Sequence, residues 1–215
     1  MKKVSRTVIF DMDGVIIDSE PMQLAAYNVV LGSHAVQLSE EDFIRWCVGR
    51  RSPDIVAFLR NHFQLPESVE YLLSAKSTAY ASILRENIRP MPGLLPLLDH
   101  LTSSGYRLAV ASSSSVADIE EILAGLRVRK QFQIIVSGEE VSNGKPAPDI
   151  FLEVAHRLGV PPDECVVIED SQSGVQAAVQ AGMYCIAVPN RFTSAHDFSR
   201  AHMRVPDLLA VSTLL

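Results

Sequence analysis

The sequence predicts an α/β fold, a Rossmann-like parallel sheet core interrupted after its first strand by a small all-helical insertion. Three observations lead there. A short apolar run at residues 8–10 ends at an acidic cluster, helical periodicity without a convincing strand follows as far as Asn87, and strands alternate with helices from the Pro-punctuated segment 88–93 onward.

Taken in order, the β-branched and aromatic Val8, Ile9 and Phe10 read as a buried strand whose carboxyl end carries Asp11. Behind Ser19 as N-cap and Pro21 in the first turn, Met22, Ala25, Ala26, Val29 and Val30 recur at helical spacing. Ser39 with Asp42 reads as a capped start, Pro53 opens a helix through Leu59, and Val69, Leu72, Leu73, Tyr80, Ile83 and Leu84 mark one long helix. The second half gives a helix at 94–101 closed by Gly105, a strand at 108–111, a helix from Val116 and a strand at 134–136. A helix at 149–158 closed by Gly159 follows, then a strand at 166–168 running into Glu169 and Asp170, a helix ending at Gly182 and a strand at 185–188. Apolar strands linked by helices imply a parallel sheet covered on both faces. The helical stretch falls between the first strand and the second, so the expected core is 1–17 with 89–215, and 18–88 is the insertion.

Composition narrows the function. The 215 residues are 47% hydrophobic and 20% charged, with ordinary Gly and Pro usage, which is a globular profile. A net charge of −6 works against nucleic-acid and anionic-membrane binding, both of which need clustered positive charge. Cys47, Cys165 and Cys185 form no C-x-x-C pair and read as buried small hydrophobes of a reducing compartment, so a cytoplasmic location is expected. The basic start is followed by an apolar run broken at Asp11 and Asp13, too short for a signal-peptide core, and no segment approaches the roughly 18 apolar residues of a membrane span. Oligomeric state is left open, with a monomer as the default.

In an open parallel sheet ligands bind beyond the carboxyl ends of the strands, where this chain has Asp11, Ser112, Glu169 and Asp170. Asp11, Asp13, Glu169 and Asp170 crowded there cannot all stay ionised without a compensating cation. Oxygen-only ligands suit a hard cation, and Mg²⁺ is expected. With Mg²⁺ and Lys145 counted, the site keeps a single negative charge, and it becomes neutral once one carboxylate is protonated. That balance is suited to receiving a phosphate.

DMDGVIIDSE with Asp11 and Asp13, ASSSS with Ser112, GKPAPDIF with Lys145 and VVIEDSQSG with Glu169 and Asp170 resemble, in order, the four motifs of the haloacid-dehalogenase-like phosphotransfer superfamily. The resemblance spans the chain, because the helical insertion falls where the β-phosphoglucomutase-like and sugar-phosphate phosphatase branch carries its cap. It implies that Asp11 is the nucleophile that becomes phosphorylated and that Asp13 is the acid/base, with its backbone carbonyl facing the metal. Ser112, with Ser113 beside it, would contact the phosphoryl oxygens and Lys145 would neutralise charge. Glu169 and Asp170 would hold Mg²⁺ together with Asp11. From the cap, Arg51 or Arg50 is the candidate for substrate contact, and Gln23, Tyr27 and Lys76 are candidates to face the site. The implied substrate is a small phosphorylated metabolite, in particular a sugar phosphate.

Phosphatase is favoured over phosphomutase chemistry on the departures from the mutase pattern. Mutases of this branch usually carry Lys-Asn after the Ser-rich strand end, a His in the first cap helix and an Arg three residues after the cap glycine, where this chain has Ser115–Val116, Gln23 and Ser52. A receiver-like signalling module shares the chemistry of the site but carries its acceptor Asp on a later strand and has no helical insertion.

Overall fold

The computed structural model describes residues 7–215, so the basic start at 1–6 lies outside the described residues. Two compact units are present, one of residues up to Asp18 together with Arg89–Leu215 and the other of Ser19–Ile88. In chain order, β1 (Thr7–Phe10) is followed by α1 (Glu20–Gly32), α2 (Glu40–Trp46), α3 (Ser52–His62) and α4 (Val69–Asn87). Then come α5 (Leu94–Ser103), β2 (Arg107–Ser112), α6 (Val116–Gly125), β3 (Phe132–Ser137), α7 (Asp149–Leu158), β4 (Cys165–Glu169), α8 (Gln172–Gln180), β5 (Tyr184–Ala187), β6 (Met203–Arg204) and α9 (Leu208–Val211).

The six strands form one parallel sheet in the order β3-β2-β1-β4-β5-β6. β1 lies inside it, with Phe10 in register with Val110 of β2 on one side and Ile168 of β4 on the other. All four of its side chains are buried, which suits an interior strand of a sheet covered on both faces. On one face Ile9, Ala109, Val167 and Cys185 pack with Ile150, Phe151 and Val154 of α7 and Val175 and Ala178 of α8. Strand alternation turns Val8, Phe10, Leu108 and Val110 to the opposite face, where α5 meets β2 and α6 meets β3. Strand order reverses at β1, where the chain runs outward through β2 and β3 before returning to β4; this is the switch point at which such sheets bind ligands.

In the helical unit, α1 packs along α4. Ser39 and Ser68 cap α2 and α4 by accepting from Asp42 N and Tyr71 N. Two details of α1 differ from expectation. Ser19 occupies the cap position, but its helical φ and ψ of −86° and −21° turn the side chain away from the usual capping geometry and it makes no cap bond. The buried stripe is Met22, Ala26, Tyr27 and Leu31, and Val29 is 61% exposed, because the large Tyr27 and Leu31 side chains set the packed face in place of the smaller valines. The three cysteines are buried and free. Among the described residues no helix is long and apolar enough to cross a membrane.

Candidate active site

Asp11 follows β1 directly, its N–H donating to Ile168 O of β4 at 3.0 Å, and Glu169 closes β4 with its carbonyl accepting from Val188 N at 2.7 Å. Adjacent parallel strands thereby deliver Asp11, Glu169 and Asp170 to one spot, where a carboxylate oxygen from each lies within 4.8 Å of the others. All three residues are buried, Glu169 completely.

Lys145 enters this cluster from the loop before α7. Its Nζ donates to Asp11 Oδ1 at 2.6 Å, Glu169 Oε1 at 2.7 Å and Ala111 O at 3.2 Å, and its side chain is 7% exposed. Burial opposes the ammonium, but the Asp11 and Glu169 carboxylates outweigh it and push the lysine pKa above its ordinary value. The Asp11 carboxyl is raised to about 8, first by burial and then by the neighbouring charges of Glu169 and Asp13, with Lys145 pulling the other way. One ammonium therefore does not balance the carboxylates around it.

The surrounding loops hold the other two acids in place. Glu169 Oε2 accepts from Ser171 N at 2.8 Å and Ser171 Oγ at 2.9 Å, and that same hydroxyl accepts from Gly174 N to cap α8. Gly174 is required at its position, since a Cβ there would overlap the Glu169 carboxylate. Asp170 Oδ2 accepts from Asn190 Nδ2 at 2.7 Å. Gly14, at φ +78°, passes beside it where a Cβ would overlap that same carboxylate.

Asp13 is half-buried and its side chain stands apart from the three-carboxylate cluster, with Oδ2 accepting from Ser114 Oγ at 3.0 Å. Ser112 is fully buried at the end of β2 and accepts from Ser114 N, whereas Ser113 is exposed. Ser115 caps α6 by accepting from Asp118 N. In the helical unit Arg51 precedes α3, exposed and ion-paired with Asp54 at 2.9 Å. Lys76 is buried there, donating to Gln23 and lying 5.2 Å and 4.9 Å from the Tyr27 and Tyr80 ring centres, so these candidate residues of the insertion do meet one another. Ser114, Ser171 and Asn190 each bond a site carboxylate and were absent from the expected set. Ser114 and Ser171 lie within the motifs and were findable there, whereas Asn190 carries no local signal.

A divalent cation suits this donor set. Three buried carboxylates converge with only oxygen to offer, and the raised Asp11 carboxyl marks an excess of negative charge that a hard cation relieves.

The family model of the haloacid dehalogenase-like hydrolases matches residues 8–188. The chain belongs to this family. It is 37% identical over 180 residues to the phosphorylated carbohydrates phosphatase of Thermotoga maritima, covering 82% of this chain and 81% of that one. Identity to the fructose-1-phosphate phosphatase YqaB of Escherichia coli is 38% over 183 residues, covering 84% and 95%. Among solved structures, CbbY from Rhodobacter sphaeroides in complex with phosphate superposes with a TM-score of 0.85 at 26% identity, covering 97% and 96%. The protein is a phosphohydrolase of the haloacid dehalogenase-like family, in its phosphatase and phosphomutase branch.

Proposed function

We propose that this haloacid dehalogenase-like hydrolase is a Mg²⁺-dependent phosphatase of a small sugar phosphate that works through a phosphorylated Asp11. The observation that carries the reading is the buried convergence of Asp11, Glu169 and Asp170 at the sheet's switch point, with Lys145 bonded to the first two. The naming of two relatives as phosphatases of phosphorylated carbohydrates and of fructose 1-phosphate supports the substrate class. Asp11, Glu169 and Asp170, with the Asp13 backbone carbonyl, would hold Mg²⁺, which when bound neutralises charge on the transferring phosphoryl group.

Lys145 holds Asp11 Oδ1, so the other oxygen, Oδ2, is the one assigned to attack phosphorus. As the Asp11–phosphorus bond forms, the bond from phosphorus to the sugar oxygen breaks, and that oxygen takes a proton from the Asp13 carboxyl. In the second half Asp13, now a carboxylate, removes a proton from water. The water oxygen bonds to phosphorus, the Asp11–phosphorus bond breaks, and inorganic phosphate leaves with Asp11 restored. Ser112 and Ser113 contact the phosphoryl oxygens, and Lys145 lowers the charge against which a phosphate dianion approaches. The helical unit, with Arg51, selects the substrate. A panel of sugar phosphates and nucleoside monophosphates assayed for phosphate release, with and without Mg²⁺, tests this reading together with glucose 1-phosphate to glucose 6-phosphate conversion. Metal-dependent release from sugar phosphates is expected; interconversion without release would replace phosphatase by mutase.

A further inference from the structure

Beyond the four motifs, the loop after β5 reaches back to the site. Asn190 Oδ1 accepts from Phe192 N at 2.8 Å and Thr193 N at 3.2 Å, while its own N–H donates to Thr193 Oγ1 at 3.1 Å. With both backbone donors on Oδ1, the amide has one orientation, and Nδ2 must point at Asp170. The loop is itself anchored: His196 N donates to Thr193 O at 2.9 Å, and Asp197 N donates to Gln172 Oε1 at the start of α8. Thr193 is buried.

We infer that Asn190 is a positioning residue that presents the Asp170 carboxylate to the divalent cation, an inference that rests on the metal assignment made for Asp170. Lys145 bonds Asp11 and Glu169, and Asn190 does for Asp170 what that lysine does for them, with one difference. A lysine cancels a charge that draws the cation. An amide N–H fixes the carboxylate's orientation and cancels none, as suits a group whose full charge is needed at the metal. Gly14 flanks this hydrogen bond, since the space a Cβ would need there is taken by both the Asp170 carboxylate and Asn190 Nδ2. The carboxylate is therefore held by a donor, with bare backbone packed closely beside the pair, before any cation arrives, and less ordering is left to be done on binding.

The test separates this role from loop support. Asn190→Ser keeps an oxygen that can accept from Phe192 N in the same kind of turn, but has no amide nitrogen to reach Asp170. Asn190→Ala removes both. Mg²⁺ is titrated without substrate, following melting temperature and calorimetric heat in parent, both variants and Asp170→Ala. The expected result for Asn190→Ser is a metal-free melting temperature within about 4 °C of the parent, with the half-saturating Mg²⁺ concentration raised about tenfold. Parent-like half-saturation in Asn190→Ser would overturn the inference, and the same result in Asn190→Ala would confirm that the residue serves the loop alone. If Asp170→Ala also kept the parent's Mg²⁺ response, the metal assignment itself would fall, and the inference with it.

Discussion

Asp11→Asn should abolish turnover and, in the absence of metal, make the protein more stable. The raised Asp11 carboxyl means the folded state binds its proton more tightly than the unfolded chain between 3.8 and about 8, so stability falls as pH rises through that window. At pH 7 the interval from 3.8 converts, at about 1.4 kcal/mol per pH unit, to a ceiling of about 4 kcal/mol of destabilisation. Asparagine escapes that cost, but its amide must sit beside Lys145 and Glu169 with an NH2 in place of an acceptor oxygen, so about 1 to 2 kcal/mol should survive. For a chain of this length that is a rise of about 2 to 8 °C in melting temperature. The Lys145 contribution, fully present below the ordinary lysine value, is flat across pH 5 to 8 and does not alter the trend. Melting in a chelator should show the variant's advantage near pH 8 and its disappearance near pH 5. Saturating Mg²⁺ should invert the order, because the parent gains about 2.7 kcal/mol at a hundredfold excess over Kd while the variant has lost a ligand. A variant less stable than the parent in chelator at pH 8 would refute the excess of negative charge around Asp11 and make it an ordinary ion-pair anchor.

Asp13→Asn should retain much more activity on an activated aryl phosphate, whose leaving group needs no proton, than on a sugar phosphate; equal losses on both would remove Asp13 from the acid step. Gly174→Ala should lower the melting temperature by the several degrees expected of about 1 to 3 kcal/mol of overpacking, and should depress activity by displacing Glu169, because the added methyl overlaps that carboxylate; a parent-like enzyme would mean that the loop yields freely. Replacing residues 20–86 with a short Gly/Ser linker should raise KM for a sugar phosphate far more than for a small activated acyl phosphate, once circular dichroism shows that the sheet unit still folds; an unchanged preference would locate specificity in the sheet unit.

What was legible in the sequence divides along the range of the interactions involved. β1 and β4 announce themselves because an interior parallel strand is buried on both faces, so Val8, Ile9, Phe10 and Val166, Val167, Ile168 form unbroken apolar runs that stop where the acids begin. α7 was readable to its ends because its breakers are local: Pro148 before it, and Gly159 at φ +65° after it. β6 and α9 were not, since a two-residue exposed edge strand and a four-residue helix are too short to show a period. In α1 the spacing was right and Met22 and Ala26 are buried as expected, but the face is turned toward Tyr27 and Leu31 and away from Val29, because which side of a mildly amphipathic helix is buried depends on what packs against it, here α4.

The site divides in the same way. Asp11, Lys145, Glu169 and Asp170 sit at strand ends or in motifs whose spacing carries chemistry; the sheet's register brings the three acids together, and the loop before α7 adds the lysine. Asn190 reaches Asp170 across twenty residues from a loop with no period and no motif, by way of a turn whose only purpose in the local sequence is to satisfy Phe192 N and Thr193 N. Such a residue is invisible to spacing arguments because its partner is chosen by the fold. The asymmetry has a physical origin. A ligand must be one of a few residue types, so it leaves a compositional trace, whereas the group that orients a ligand need only offer one N–H at the right place, and many side chains and loops can do that.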